Sequence, residues 1–263
     1  MSNIGKVDSL WRYPVKSMRG HELDEAFVGF SGIYGDRIFA FRSSASRKGF
    51  PYFTATTQPK LLGYRPFFRH PEKAAQPINL AEAQSISPGL TPVFADKRDL
   101  MVDVEAPSGE NFAIDDPTLS RTLREGVAGT PDLTLVRSDR AMTDCRPVSL
   151  FSLQTARRLG EELRTLVDQR RFRANLYLDF NTASGFVEND FVGRSLLIGS
   201  KVVISILERD PRCVMITLDP DTGEARPEFL RQVAQVHDGM AGVYGAVLVE
   251  GMLHKGDVVQ LLD

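Results

Sequence analysis

The sequence predicts a mainly β protein with a few helices, and three observations support that fold class. First, residues 6–17 and 22–44 alternate apolar and polar side chains and stop at glycine or proline, as half-buried strands do. Second, β-branched runs separated by glycine turns make up most of the chain after residue 170. Third, these runs are short and numerous, which is typical of barrels rather than of a doubly wound sheet.

The segment from residue 60 to residue 125 is rich in proline, glycine and short polar breaks. Strand-like pieces stand out within it at residues 100–106 and 110–115. This pattern predicts meanders and turns rather than long helices.

The clearest predicted helix covers residues 152–168, with Ser152 at the N-cap position. Its apolar side chains recur at three- and four-residue spacing. They are Leu153, Ala156, Leu159, Leu163 and Leu166. A shorter helix is predicted over residues 227–237, opened by Pro227 and closed near Gly239.

The remaining β-branched runs predict strands at residues 175–180, 191–209, 213–219 and 245–262. A chain of 263 residues can bury two modest cores, so we expect a domain boundary between residues 120 and 135. We therefore divide the chain into residues 1–125 and 126–263.

Composition excludes several classes of function. The formal net charge of −2 gives no basic field for nucleic acid or anionic lipid. No stretch reaches membrane-spanning length, and the N-terminal residues lack the apolar core of a signal peptide. Two cysteines form no disulfide framework, which favours a cytoplasmic protein. The four histidines are scattered without metal-ligand spacing.

Cys213 follows Asp-Pro-Arg and precedes an apolar run, and two interpretations of it are open. Most free cysteines are small buried hydrophobic residues. A cysteine beside Arg212 can also be a thiolate that binds a metal or an electrophile.

Three other places carry groups that could bind an anion. Lys16 and Ser17 follow a predicted strand, where an ammonium and a hydroxyl can meet an anion, although a solvated turn lysine is the commoner case. Arg37 follows a Gly-Asp turn, where a surface arginine is again the default. Arg173 and Asn175 would point to the same face of a strand, an arrangement that suits a planar anionic ligand.

Taken together, these motifs resemble the MOSC superfamily, named after the C-terminal domain of molybdenum cofactor sulfurases. They are YPVKS at 13–17, GDR at 35–37, RFRANL at 171–176, DPRCVMITLDPDTG at 210–223 and the closing segment 244–262. The two-part layout is similar to that of the mitochondrial amidoxime-reducing component and its bacterial relatives. The resemblance implies a MOSC β-barrel in residues 126–263, preceded by a smaller N-terminal MOSC-associated β-barrel domain in residues 1–125.

The resemblance also implies a molybdenum cofactor, with Cys213 as both the metal ligand and the catalytic residue. The residues that match the family's cofactor-binding positions are Lys16, Ser17, Arg37, Asp144, Arg173, Asn175 and Arg212. Cys145 lies beside Asp144, where the family usually has a small hydroxyl residue, so we interpret it as incidental or as a second thiol near the site. Ala174, Pro211 and Thr56 also depart from the family pattern and leave every ligand in place.

The implied activity is that of a molybdenum-dependent oxidoreductase, which reduces small N-hydroxylated substrates by oxygen-atom transfer. The sequence contains only two cysteines and no dinucleotide-binding fingerprint, so we expect electrons from a separate ferredoxin- or flavin-type protein. Two alternatives stay open. The protein could be a non-enzymatic carrier that inserts the cofactor into other proteins, or a sulfur-transfer protein with a persulfide on Cys213.

Overall fold

The structure is a computed structural model that describes residues 2–47, 49–85 and 95–262, and it divides into two compact units. The first, here called the barrel unit, combines residues up to 12, residues 21–33 and residues from 143 onward. The second unit combines residues 13–20 with the described part of 34–142. A single boundary at residue 125 stays a prediction.

The described residues are mainly in strands, as the sequence predicts. In chain order the strands are β1 (Ser2–Arg12), β2 (His21–Leu23), β3 (Glu25–Gly29), β4 (Gly32–Ile33), β5 (Phe39–Ser43), β6 (Arg65–Phe68), β7 (Val102–Glu105), β8 (Asn111–Ala113), β9 (Leu133–Arg137), β10 (Val148–Ser152), β11 (Leu176–Phe180), β12 (Ser195–Ile198), β13 (Val202–Pro211), β14 (Met240–Val249), β15 (Gly251–His254) and β16 (Val258–Leu262). The α-helices are α1 (Leu80–Ser85), α2 (Pro117–Leu123), α3 (Leu153–Leu163) and α4 (Glu228–Val236). Short 3-10 helices cover Pro59–Gly63, Gln169–Phe172, Val187–Phe191 and Val214–Thr217.

A closed barrel of seven strands organises the barrel unit. Its strands follow the order β11-β10-β14-β13-β12-β16-β1, and β1 pairs with β11 to close the ring. The β10–β11 pair is parallel and the other pairs are antiparallel. Closure joins the strand that begins the chain to strands from its C-terminal half, so the barrel depends on contacts between residues far apart in sequence.

Alternating side chains of the barrel strands fill the barrel interior. Val7, Leu10, Leu178 and Ile204 each expose 1% or less of their surface there. A second apolar cluster lies under α3 and α4 and consists mainly of Phe151, Leu159, Phe172, Tyr177, Phe229 and Val233. Each of the strands β10 and β11 contributes residues to both clusters, because successive side chains of a strand point to opposite faces.

Helix α3 is shorter than the sequence predicts. It begins at the predicted N-cap, where the Ser152 hydroxyl accepts a hydrogen bond from Thr155 N at 3.0 Å, and it ends at Leu163. Arg164 then adopts left-handed backbone angles, and Thr165 N donates to Gly160 O. Leu166 therefore lies outside the helix with 96% of its surface exposed, so its predicted place on the apolar face is wrong. The predicted α4 is confirmed, with Pro227 as its N-cap.

The predicted strand at residues 213–219 is also wrong. After Cys213 the chain forms the 3-10 helix Val214–Thr217, in which the Thr217 hydroxyl donates to Val214 O at 2.7 Å. Arg171 holds the end of this helix by donating to Thr217 O at 3.0 Å and pairing with Asp219 at 2.8 Å. These contacts fix the 3-10 helix just before the Asp-Pro-Asp-Thr-Gly turn. They therefore outweigh the β propensity of residues 213–219.

The second unit contains short strands and short helices. β5 pairs with β9, and β6, β7 and β8 form an antiparallel sheet, which confirms the strand-like pieces near residues 100 and 110. The meanders predicted between residues 60 and 125 include residues 86–94, which lie outside the described part of the chain. None of the helices that the structure describes has the length and apolarity needed to cross a lipid bilayer.

Candidate functional site

Cys213 lies in the barrel unit, directly after β13 and directly before the 3-10 helix Val214–Thr217. Its side chain is exposed and forms no disulfide. The interpretation of Cys213 as a small buried core residue is therefore wrong. An exposed sulfur at the junction of a strand and a helix can reach a ligand without disturbing the core.

The side chain of the preceding residue, Arg212, is almost completely buried, with 8% of its surface exposed. Its Nε donates to Ala241 O at 2.6 Å, and its Nη1 donates to Phe172 O at 3.0 Å. Its Nη2 lies 2.7 Å from the carboxylate of Asp210, and the guanidinium lies over the Phe172 ring at 5.3 Å. The guanidinium is thus held by three different segments of the barrel unit.

Asp210, which receives this ion pair, is also buried, at 2% exposure. The phenol of Tyr244 on β14 hydrogen-bonds to the same carboxylate. Burial raises the pKa of Tyr244 well above its ordinary value, and the charge of Asp210 adds to the effect. The phenol therefore keeps its proton and remains a hydrogen-bond donor to Asp210.

Arg173 and Asn175 are not in a strand, so the prediction that they share a strand face is wrong. Arg173 ends the 3-10 helix Gln169–Phe172 with a left-handed φ of 52°, and β11 begins only at Leu176. Asn175 is buried, and its side-chain oxygen accepts hydrogen bonds from Ser149 N and Ser149 Oγ, both at 3.3 Å. Its Nδ2 donates to Trp11 O at 3.3 Å. Asn175 thus links β1 to β10, and its role in cofactor binding stays a prediction.

Asp144 and Cys145 are exposed residues of the segment that leads into β10. The Cys145 thiol donates to the Glu208 carboxylate at 3.4 Å, and Arg146 donates to the same oxygen at 2.7 Å. Burial of the sulfur and the adjacent Glu208 carboxylate raise the pKa of the Cys145 thiol above its ordinary value. Cys145 therefore has less thiolate character than an ordinary cysteine.

In the second unit, hydrogen bonds hold the Lys16 and Arg37 segments together. Lys16 N donates to Phe39 O at 2.8 Å, and Arg37 N donates to Tyr13 O at 2.6 Å. The Lys16 ammonium donates to Met142 O at 2.8 Å, while Met142 N donates to Arg37 O at 2.9 Å. The structure therefore brings together, within this unit, two cations that lie 21 positions apart in the sequence.

Neither cation is a solvated surface residue. Lys16 exposes 7% of its surface, and its ammonium lies 5.0 Å from the ring of Tyr52 and 5.7 Å from that of Phe50. The Arg37 side chain is 12% exposed, pairs with Asp36 and lies 4.5 Å over the Tyr13 ring. Lys16 lies in a turn but is buried, so its interpretation as a solvated turn lysine is wrong, and so is that of Arg37 as a surface arginine.

Backbone conformation marks several of the predicted residues. In the described part of the chain, seven non-glycine residues have a positive φ. Three of them are predicted cofactor-binding residues, namely Ser17, Arg37 and Arg173. Such conformations cost free energy and are found preferentially at ligand sites.

The sequence analysis missed the partners of the predicted cations. Asp36 directly precedes Arg37, and Asp210 stands two residues before Arg212. An acidic residue within two positions of these arginines was the sequence signal that could have predicted the two ion pairs. Tyr244, Phe50 and Tyr52 had no local signal, because their roles depend on contacts across strands or loops.

Comparisons with solved structures give weak similarities. A structure of the YuaD protein from Bacillus subtilis is 11% identical, with 97% of this chain and 93% of that chain covered and a TM-score of 0.46. YiiM from Geobacillus stearothermophilus is 15% identical, with 44% and 54% covered and a TM-score of 0.32. YiiM from Escherichia coli is 17% identical, with 45% and 55% covered and a TM-score of 0.31. This chain therefore spans about half the length of either YiiM protein.

No curated protein matches the sequence. Two domain families do match it. The MOSC domain matches residues 137–260, and the MOSC N-terminal beta barrel domain matches residues 4–68. The chain is therefore a MOSC-domain protein that carries a MOSC N-terminal β-barrel domain.

Proposed function

We propose that this protein binds a molybdenum cofactor through Cys213 and reduces N–O bonds of small N-hydroxylated compounds. MOSC domains are associated with molybdenum cofactor binding. The observation that carries the proposal is the exposed Cys213 thiol, which follows a buried, ion-paired arginine. A soft sulfur donor in a fixed position is the kind of ligand that this metal centre takes.

The chemistry of the side chains fits such a cofactor. Within the described residues, no group of three or more histidine, cysteine or acidic side chains could hold a metal ion. The Cys213 thiol, as a single protein ligand, therefore suits a metal whose other sulfur ligands belong to the cofactor. The residues that would meet the anionic part of the cofactor, as the family resemblance implies, are Lys16, Ser17, Arg37 and Arg173.

When bound, the molybdenum cofactor supplies the exchange of two electrons, and the protein binds and orients it. Reduction of R–NHOH to R–NH₂ breaks the N–O bond and consumes two electrons and two protons, with water as the second product. The electrons come from a separate protein, because two cysteines are too few to hold a four-cysteine cluster.

A carrier function is the second candidate, and the exposure of Cys213 also favours it. A ligand at the surface can release its cofactor to another protein. A sulfur-transfer protein would use the same thiol as a persulfide, and this adduct would be visible by mass spectrometry.

Metal analysis combined with a reductase assay tests the proposal. The protein is expressed in a host that makes the molybdenum cofactor, its metal content is measured, and it is assayed with benzamidoxime and reduced methyl viologen. We expect bound molybdenum and formation of benzamidine. Protein that contains no molybdenum, or a persulfide on Cys213 in place of the metal, would contradict the proposal.

A further inference from the structure

We propose that three apolar side chains around Cys213 select N-hydroxylated substrates that carry an uncharged, apolar substituent. They are Pro211, Val214 and Met240, and we call them the apolar collar. This inference deepens the proposed function and rests on it for the role of Cys213. All residues of the collar belong to the barrel unit.

The extended backbone that leads to Cys213 carries the first step. β13 ends at Pro211, and Cys213 itself has extended backbone angles. Successive side chains of an extended chain point to opposite sides. The side chains of Asp210 and Arg212 are 2% and 8% exposed, whereas Pro211 and Cys213 are exposed. Pro211 therefore lies on the same side of the chain as the Cys213 sulfur.

Strand pairing adds a second residue to this side. Pro211 pairs with Met240, the first residue of β14. Residues that face each other across two antiparallel strands place their side chains on the same face of the sheet. The partly exposed Met240 side chain therefore lies beside Pro211, while the next residue, Ala241, belongs to the core.

Val214 completes the collar on the C-terminal side of the sulfur. It is the first residue of the 3-10 helix that follows Cys213, and 48% of its surface is exposed. Ile216 and Thr217 form the buried side of this helix instead. An aliphatic side chain that the core does not take up thus follows the sulfur directly.

The chemistry of the collar carries the second step. Proline and valine side chains have no polar atom, and the methionine sulfur is only a weak hydrogen-bond acceptor. The neighbouring cation Arg209 is paired with Asp238 at 3.3 Å. Single exposed apolar side chains are ordinary on protein surfaces. Here, however, three of them border one exposed sulfur.

This environment distinguishes substrates by their substituent. The reacting N–OH group is polar and is the same in every candidate, so the group attached beside it determines how well a substrate fits. A polar substituent against the collar loses hydrogen bonds to water that no collar side chain replaces. An alkyl or aryl substituent loses none and buries apolar surface.

Alkylation of the cofactor-free protein tests the collar without the metal. In a Cys145→Ser background, Cys213 is the only cysteine of the chain. The rate of its reaction is measured with N-propylmaleimide and with N-(2-hydroxyethyl)maleimide, which differ by a methyl group in place of a hydroxyl. The ratio of the two rates is then divided by the same ratio for free cysteine. Because both reagents attack the same thiolate, a change in the thiolate fraction does not alter this normalised ratio.

We expect a normalised preference of at least about threefold for the propyl reagent. Val214→Thr keeps the branched shape of the side chain but replaces a methyl group by a hydroxyl, so it should lower the preference. Pro211→Ser is an independent second variant with the same expected direction. Val258→Thr is the matched control, because it makes the same change at a valine of β16 that is 40% exposed, and it should leave the ratio unchanged.

The molybdenum-loaded protein tests the selection of substrates. Propionamidoxime and hydroxyacetamidoxime differ in the same way as the two maleimides, by a methyl group in place of a hydroxyl. With reduced methyl viologen, we expect kcat/KM to be about threefold higher for propionamidoxime, through a lower KM. Val214→Thr should narrow this preference through KM and leave kcat nearly unchanged.

A normalised alkylation ratio of one, or a ratio that neither Val214→Thr nor Pro211→Ser lowers, would overturn the collar. Equal kcat/KM for the two amidoximes in active wild-type protein would overturn the selection of substrates while the proposed function holds. A wild-type protein without molybdenum would overturn the proposed function and with it the substrate class. The alkylation ratio would then still decide whether the collar selects apolar groups at Cys213, so the failures are distinguishable.

Discussion

Cys213 and Cys145 are both exposed, yet their surroundings assign them different chemistry. Cys145 donates to the Glu208 carboxylate, and its raised pKa holds it in the thiol form. Cys213 instead caps a 3-10 helix next to the buried Arg212. Exposure alone does not separate the two sulfurs, whereas the hydrogen bond from Cys145 to the Glu208 carboxylate does.

The first prediction concerns the metal ligand. We expect Cys213→Ser to keep its fold, because the side chain is exposed, and to lose the metal, because a hydroxyl is a harder donor than a thiolate. The loss of metal affinity should exceed the roughly 10- to 100-fold loss that outer-shell changes at metal sites cause. Metal analysis and circular dichroism of the purified variant measure both effects.

Cys145→Ser is the matched control for that variant, since it changes the only other cysteine of the chain. It should retain its metal and change the free energy of unfolding by no more than about 0.5 kcal/mol. Full molybdenum content and turnover in Cys213→Ser would show that Cys213 is not the ligand.

A second prediction concerns Glu188, a carboxyl that is 1% exposed and accepts hydrogen bonds from the Ser152 and Thr155 hydroxyls at 2.6–2.9 Å. Burial raises the pKa of Glu188 above its ordinary value. Below the pKa that the Glu188 carboxyl has in the unfolded chain, the carboxyl is protonated in both the folded and the unfolded state, and its ionisation does not change the free energy of unfolding. As the pH rises towards the folded pKa, only the unfolded chain ionises, so folding loses stability.

Glu188→Gln removes this dependence on pH. Relative to wild type, the variant should therefore gain unfolding free energy progressively as the pH rises from about 4, near the pKa of an unfolded glutamate, to about 8. Urea unfolding at several pH values in that interval gives the comparison. A difference between variant and wild type that stays constant over the whole interval would show that Glu188 ionises equally in both states.

The sequence predicted which charged residues belong to the candidate site, but it did not predict the environment of each side chain. The motifs singled out Lys16, Arg37 and Arg212, and the structure shows all three largely buried. Their environment depends on Met142, Tyr13 and Ala241, which are distant in sequence from the cations they contact, and only Tyr13 among them belongs to a motif. A buried charge is set by the groups that surround it, and those groups are brought together only by the fold.

At the scale of elements, the sequence analysis located a helix end correctly where a capping residue or a proline marks it. The N-cap at Ser152 and the start of α4 at Pro227 follow from local chemistry and were predicted. The end of α3 was missed, because Arg164 gives no sequence signal for the left-handed conformation it adopts. The run after Cys213 was misassigned, because contacts from Arg171 outweigh its β propensity.

The third prediction tests the end of α3 with two exposed arginines. Arg164→Gly should stabilise the protein by about 0.5–1 kcal/mol, because glycine adopts the left-handed C-cap conformation without strain. Arg157→Gly is the control in the body of the same helix and should destabilise by about 1 kcal/mol. Thermal and urea unfolding measure both changes. Destabilisation by both substitutions would mean that Arg164 makes contacts worth more than its backbone strain.

At the scale of the whole molecule, the barrel class was predictable and its strand order was not. Short β-branched runs with glycine turns indicate a barrel before any pairing is known. The pairs of β1 with β11 and with β16 join residues more than 150 positions apart, and the parallel β10–β11 pair joins residues 26 positions apart. Register of this kind is fixed by packing of the interior cluster around Leu10, Leu150 and Leu176, which local patterns do not encode.

The fourth prediction concerns the source of electrons, and it separates an enzyme from a carrier. The sequence provides too few cysteines for a cluster and no dinucleotide fingerprint, so the molybdenum-loaded protein should be inert with benzamidoxime and a nicotinamide cofactor alone. Reduced methyl viologen bypasses the missing partner and should start turnover.

The Cys213→Ser variant, expressed and assayed in the same way, is the control that ties this turnover to the bound metal. A carrier would stay inert with the dye but would restore activity to a cofactor-free molybdenum enzyme on mixing. Turnover with the dye that survives in Cys213→Ser would mean that the reduction is not catalysed at this site. Inertness with every low-potential donor, together with transfer of cofactor to the second enzyme, would establish the carrier instead, because a reductase has to turn over with at least one donor of sufficiently low potential.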